Sequence, residues 1–351
     1  MDSTSDLLPR IIKRETVLDH VAIIHPAGAA WRARADRLAA GLGHHVTIAV
    51  DTDLMPARRD PLTAAYRSRP LIVLGNLNTN RTLQPLYANF LCSTDATYPG
   101  GDGYDLRTIV NPYGTGTNVI LAGGSSPRGV ERAVDKLLAA IAAAGPARTL
   151  PFLLTVELDL TLAAQLAAWP YTPLADTAEA QALRNRGLMF YTEPIRVIGA
   201  YTLMWSWTAD ARYALIARDA LRALNAGMTN GYGDWHYLAE RFLRAVPLLV
   251  AGGFLSDEDI ARTDHLLLLT ARENQHEWWR MTTGRPPLGH RHHGRGTYEF
   301  LLLARYLRDQ AHANAALRAQ CDRWIEECRT FLDALAAACI DDQDDETTLN
   351  N

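Results

Sequence analysis

Cysteine is scarce, with four in 351 residues. Cys92, Cys321, Cys328 and Cys339 form no C-x-x-C pair, so neither a zinc ribbon nor a disulfide framework fits. Buried free thiols are the expectation. Charge is not concentrated either: the formal net charge is −4 and no long basic run appears. That removes a general electrostatic pull toward nucleic acid or anionic lipid. No apolar run reaches the roughly 18–20 residues of a bilayer span, and the opening "MDSTSDLLPRIIKRE" lacks the apolar core of a signal peptide. The chain is therefore expected to be soluble, with no nucleic-acid or membrane partner. It is cytoplasmic as written, and secreted or periplasmic if the N-terminus was trimmed. G-x-G-x-x-G, a P-loop lysine and H-E-x-x-H are absent as well, and no cofactor is expected.

What is present is an ordinary globular composition, 48% apolar and 21% charged, long enough for two domains. Residues 1–157 alternate short apolar runs with helical patterns. "HVAIIHP", "HVTIAVD", "PLIVLGN", "YDLRTIV" and "TNVILAGG" read as strands. Residues 29–43, 79–92 and 125–145 read as helices, the last opened by serine and proline. This predicts an α/β domain. The entry "GGSSPRG" offers backbone N–H groups to an anion, although the same residues make a good strand-to-helix turn, the reading preferred here.

Residues 158–340 are helical in period throughout. The expected helices are 160–168, 175–189, 194–206, 209–226, 234–251, 256–280, 296–313 and 315–339, with short breakers that favour antiparallel hairpins. In "SDED", serine caps and the acids sit at the positive helix end. Residues 341–351 form an acidic, polar tail expected to fray.

The densest chemistry is "RPPLGHRHHGRGTYEF" (285–300), which holds His290, His292 and His293 among Arg285, Arg291 and Arg295. Such a cluster needs either solvent or an anionic partner. As a metal site it is weak. The i, i+4 ligand spacing is missing, adjacent histidines point apart, and the arginines repel a cation. No metal ligand is assigned.

Two stretches carry a resemblance. "VNPYGTGTNVILAGGSSPRGVERAVDKLL" resembles the small α/β domain ahead of the catalytic domain in several carbohydrate-active enzymes. "RHHGRGTYEFLLLARYL" resembles the helix-opening motif of (α/α)-toroid polysaccharide lyases of the heparinase II/III and alginate-lyase kind. His292 and His293 match the family's histidines, Gly296 its small residue and Tyr306 its closing aromatic. Arg291 stands where the family usually has asparagine. The resemblance implies an α/β domain followed by antiparallel hairpins of (α/α)-toroid type, complete or incomplete. It also implies an acidic, uronate-containing polysaccharide as substrate, cleaved by β-elimination.

That reaction needs cationic groups on the C5 carboxylate, a base for the C5 proton and an acid for the leaving oxygen. The candidates are His292, His293, His236, Tyr298, Tyr237 and Tyr232 for catalysis. For substrate contact they are Arg291, Arg285, His290, Asn274, Trp235, Trp278 and Trp279. Two alternatives stay open. One is a glycoside hydrolase on the same scaffold, using two of Asp234, Glu277 and Glu299. The other is a non-catalytic glycan-binding protein or fragment. His265, on an apolar helix, reads as structural.

Overall fold

The computed structural model describes residues 15–43, 46–57, 60–167, 192–232, 239–274, 291–310 and 314–341, at some element ends by backbone alone. The described chain has a mixed α/β N-terminal region and a helical C-terminal part. It divides into two compact units. The first holds the described residues up to Ala167 together with Met204–Ala211, and the second holds 192–203 and the described residues from Arg212 onward.

In the first unit, strands β2 (Ala22–His25), β3 (Thr47–Val50), β4 (Leu71–Gly75), β5 (Tyr104–Ile109), β6 (Val119–Gly124) and β8 (Leu154–Glu157) form one sheet in the order β3-β2-β4-β6-β5-β8. The first four in that order run parallel, while β5 pairs antiparallel with both β6 and β8. A small antiparallel ribbon joins β1 (Thr16–Val17) to β7 (Thr149–Leu150). All five strands expected from the apolar runs are present. Strands β2, β4 and β6 read as continuous apolar runs because both faces are covered, whereas β5 is buried with Asp105 and Arg107 within it. Ile23, Ile72, Leu74, Ile120 and Ala122 pack under α1 (Ala29–Leu42) and α5 (Pro127–Ala144). Ala22, Ile24, Leu71, Val73 and Leu121 face Met55, Leu62, Leu83 and Leu86 on the other side.

Short helices α2 (Asp51–Leu54), α3 (Ala64–Arg67) and α4 (Leu83–Ala88) fill that second face. Helix α4 is shorter than the 79–92 expected. Asn76 Oδ1 takes the N–H groups of Asn78 and Thr79, and Asn80 Oδ1 takes that of Thr82, so side chains hold the first residues out of the helix. Its end is a Schellman cap. Leu91 N–H donates to Leu86 O at 2.9 Å, Phe90 N–H donates to Tyr87 O at 2.8 Å, and Phe90 occupies the left-handed position at φ 55°.

Beyond α6 (Leu160–Ala167), the helical part contains α7 (Thr192–Thr208), α8 (Ala211–Gly227), α9 (Ala239–Ala251), α10 (Asp257–Asn274), α11 (Arg291–Gln310) and α12 (Ala315–Asp341). The expected helix 175–189 lies outside the described residues. The "SDED" signal is borne out in detail. Ser256 Oγ accepts the Asp259 N–H at 3.2 Å, and Asp259 Oδ2 accepts the Ser256 N–H at 2.9 Å, a reciprocal cap on α10.

Helices α8 and α10 run parallel. Arg222 pairs with Asp259, Asn225 Nδ2 donates to Thr263 Oγ1, and the Tyr232 N–H just past α8 donates to Thr270 Oγ1, at separations of 37, 38 and 38 residues. A constant offset means equal direction. Helices α11 and α12 run antiparallel: Arg308 meets Asp322, Phe300 meets Trp324, and Gly294 lies against Leu335. Helix α9 also packs on α11. Helices two apart in sequence, α8 with α10 and α9 with α11, are thus neighbours, as when hairpins stack side by side.

Candidate functional site

The histidine-rich stretch is the start of a helix. Helix α11 begins at Arg291, five residues before the sequence reading placed it, and carries Arg291, His292, His293 and Arg295 in its first turns with no acid in the first. Helix N-termini present unpaired N–H groups and the positive end of the macrodipole, so a basic first turn there is electrostatically unfavourable by itself. Two glycines are kept in spite of their cost in a helix. At Gly294 a β-carbon would lie 2.8 Å from the end of the Leu335 side chain, so glycine lets α12 pack close here. Gly296 is buried, as are Thr297 and Glu299, while Tyr298 is half-buried. The helix turns a tightly packed face inward from position 296 on.

The other candidates divide sharply. Arg285, His290, Trp235, His236, Tyr237, Trp278 and Trp279 lie outside the described residues, as do Asp234 and Glu277. For Arg291, His292, His293 and Asn274 the backbone alone is described: the first three open α11, and Asn274 closes α10.

Tyr232 is fully buried. Its ring packs on Phe242 at 4.9 Å between centroids, and its hydroxyl donates to Asn225 Oδ1 at 2.7 Å. Burial drives its pKa well above the ordinary tyrosine value. A base must reach the proton it takes, and this hydroxyl is enclosed. Its catalytic assignment is replaced by a structural one, tying the chain after α8 to α10.

Tyr306, the closing aromatic of the motif, is likewise buried and donates to Asp264 Oδ1 at 2.7 Å. One local feature of "TDHLLLL" marks this α10–α11 bond. A carboxylate inside an apolar helical run was the available signal, since it needs a partner. His265 itself is held below the usual histidine range by burial first, then by Arg262 and Arg272. This shift favours the neutral ring, in line with the structural reading.

The "GGSSPRG" entry in the α/β unit is filled by the chain itself. Ser126 Oγ accepts the Gly129 N–H at 3.1 Å and donates to Asp102 Oδ1 at 2.9 Å, while Ser125 Oγ accepts the Gly100 N–H at 2.9 Å. A β-carbon on Gly129 would come 2.2 Å from Gly103 O, and one on Gly124 would come 2.6 Å from the Gly129 backbone. The glycines let loop 98–103 and α5 touch, and Asp102 brings the negative charge that the helix end favours. The turn reading holds over the anion reading.

The same unit contains a charged pair that composition did not reveal. Asp105 and Arg107, two apart on β5 and thus on one face, are both buried and bonded at 2.7 Å. Thr94 Oγ1 donates to Asp105 Oδ2 at 2.5 Å, and Arg107 Nη2 donates to Ser206 O at 2.9 Å. Tyr98 OH donates to Trp207 O at 2.9 Å, and Trp207 Nε1 to Ser93 Oγ at 2.8 Å. Together these groups satisfy the last carbonyls of α7, where a cation opposes the negative helix end. Beside them, burial pushes the Cys92 thiol up to about 12, which makes it inert.

Among the described residues no group of three or more His, Cys, Asp or Glu is placed to hold a metal ion, and no helix is long and apolar enough to cross a membrane. No protein-family model and no curated protein matches the chain.

Proposed function

We propose that the chain is a polysaccharide lyase of (α/α)-toroid type, cleaving an acidic, uronate-containing polysaccharide by β-elimination. The observation that supports this most is the start of α11, where two arginines and two histidines occupy the positive end of a 20-residue helix with no acid in its first turn. A carboxylate relieves that unfavourable arrangement and is held by it, because free N–H groups, dipole and guanidinium groups all favour an anion. The uronate C5 carboxylate is such a group. Withdrawing its charge acidifies the adjacent C–H bond.

The parallel offset of 37–38 residues between α8 and α10 supports stacked hairpins, the unit from which a toroid is built. In an up-and-down order, α11 starts at the end where α10 stops at Asn274. Tyr232 is at that end too, because Thr270, one turn before Asn274, holds its N–H.

In this reading Arg291, Arg285 and His290 bind the anion, and His292 or His293 takes the C5 proton. Tyr298, half-buried two turns into α11, or Tyr237 or His236 returns a proton to the leaving oxygen. Asn274 contacts substrate, and Trp235, Trp278 and Trp279 offer faces for sugar stacking. Incubation with a panel of uronate polysaccharides, followed by absorbance of the unsaturated product end, tests the reading. Turnover of at least one substrate is expected, and silence across the panel from folded protein would overturn it.

One observation favours a second reading, a hydrolase on the same helices. Glu299 is buried at 2% exposure on the inward face of α11, and a hydrolase of this kind needs carboxyl groups held inside its site. Release of reducing ends without an unsaturated product would select it.

A further inference from the structure

We propose that Asn230 is a site of spontaneous, structure-permitted deamidation, and that the modification loosens the link between α8 and α10. Asn230 is the one asparagine of the chain followed by glycine. It is exposed, and neither its side chain nor the Gly231 N–H has a hydrogen-bond partner among the described residues. Glycine puts no β-carbon beside the attacking nitrogen.

Loss of the Gly231 N–H proton lets the nitrogen attack Asn230 Cγ. The new N–C bond closes a succinimide, the Cγ–Nδ2 bond breaks, and ammonia leaves with the proton. Water then opens the ring at either carbonyl. One product is aspartate in the normal chain. The other is isoaspartate, which adds one carbon to the main chain.

The same molecule supplies a contrast at Asp102–Gly103, which can close the same ring with loss of water. There the nitrogen is engaged, with Gly103 N–H donating to Gly100 O at 2.7 Å. The carboxylate accepts from Ser126 and pairs with Arg128 at 3.3 Å. The two glycine-following positions thus differ in whether nucleophile and electrophile are free.

The consequence follows from what comes next in the chain. Gly231 is at φ 104°, and a β-carbon there would be 2.9 Å from Thr270 N and Oγ1, so this glycine packs directly on α10. The Tyr232 N–H is held by Thr270 Oγ1 at 2.8 Å, and the Tyr232 hydroxyl by Asn225. On the preceding side, Arg262 holds the Met228 carbonyl. An extra backbone carbon between two pinned points breaks one of them, whereas added charge alone on an exposed side chain does not.

The test ages the folded full-length chain in warm, mildly alkaline buffer. Isoaspartate is mapped residue by residue by mass spectrometry and enzymatic methyl acceptance, and the melting temperature is followed. Expected are isoaspartate at 230 ahead of every other position, none at 102, and loss of the signal in Asn230→Gln. A lower melting temperature is expected for the aged wild type but not for fresh Asn230→Asp. Conversion at 230 only after unfolding in urea would overturn the proposed site. Conversion in the native chain with no change in melting would overturn the proposed loosening.

Discussion

Arg107 donates through Nε to Asp105 at 2.7 Å and through Nη2 to the Ser206 carbonyl at 2.9 Å, so one buried guanidinium neutralises a strand carboxylate and closes the end of helix α7. Removing only the cation leaves a dry, uncompensated carboxylate. Arg107→Ala is expected to cost about 3–5 kcal/mol, whereas replacing both members by apolar residues of similar volume costs far less. Urea denaturation of the single and double variants measures this. Equal losses would show that the charges matter only for their bulk.

Gly129 is where loop and helix touch. Gly129→Ala puts a methyl group within 2.2 Å of a backbone oxygen that belongs to no flexible side chain. A loss on the order of 1–3 kcal/mol in unfolding free energy is expected. A silent substitution would mean that the loop bearing Asp102 can move away freely.

The hydroxyl of Tyr232 is assigned to structure. Tyr232→Phe strips the partner from a buried amide oxygen on Asn225 and is expected to cost about 1–3 kcal/mol of stability. In any activity found, it leaves the pH profile unchanged. A displaced pH limb in this variant would return Tyr232 to the catalytic candidates.

Asp259 connects stability to pH. The Arg222 hydrogen bond, reinforced by Ser256, holds its carboxyl down to about 2 against the opposing effect of burial. A folded pKa below the unfolded value of about 3.9 means the folded state prefers the ionised form. The contribution is complete above the unfolded value and disappears as pH falls through the folded one. The stability difference between wild type and Asp259→Asn should be flat above about pH 5 and shrink between about pH 4 and 2. Denaturation midpoints across that range decide it, and a difference that widens in acid would reverse the sign.

The α/β unit was legible because strands such as "PLIVLGN" are covered on both faces, so burial shows as an unbroken apolar run. Strand β8 was not, since Leu154–Glu157 alternates half-buried and exposed residues at the sheet edge. The start of α11 was placed too late for a definite reason. Gly294, just ahead of the expected helix at 296, reads as a loop residue, but it lies within the helix and packs against Leu335 of α12. Propensity lost to packing. At the site, the cationic cluster could be read because such residues have few uses in one stretch. The burial of Tyr232 could not, because its partners Asn225 and Thr270 are polar residues of two different helices. No local pattern distinguishes that tyrosine from one lining a cleft.

The most direct measurement concerns how the glycosidic bond breaks. Uronate oligosaccharides are digested in heavy-oxygen water and the products weighed. The account predicts an unsaturated uronate end and no heavy oxygen in either product, with activity abolished when His292 and His293 are both replaced by alanine. Heavy oxygen at the new reducing end, with no unsaturated product, would contradict β-elimination and assign the chemistry to hydrolysis.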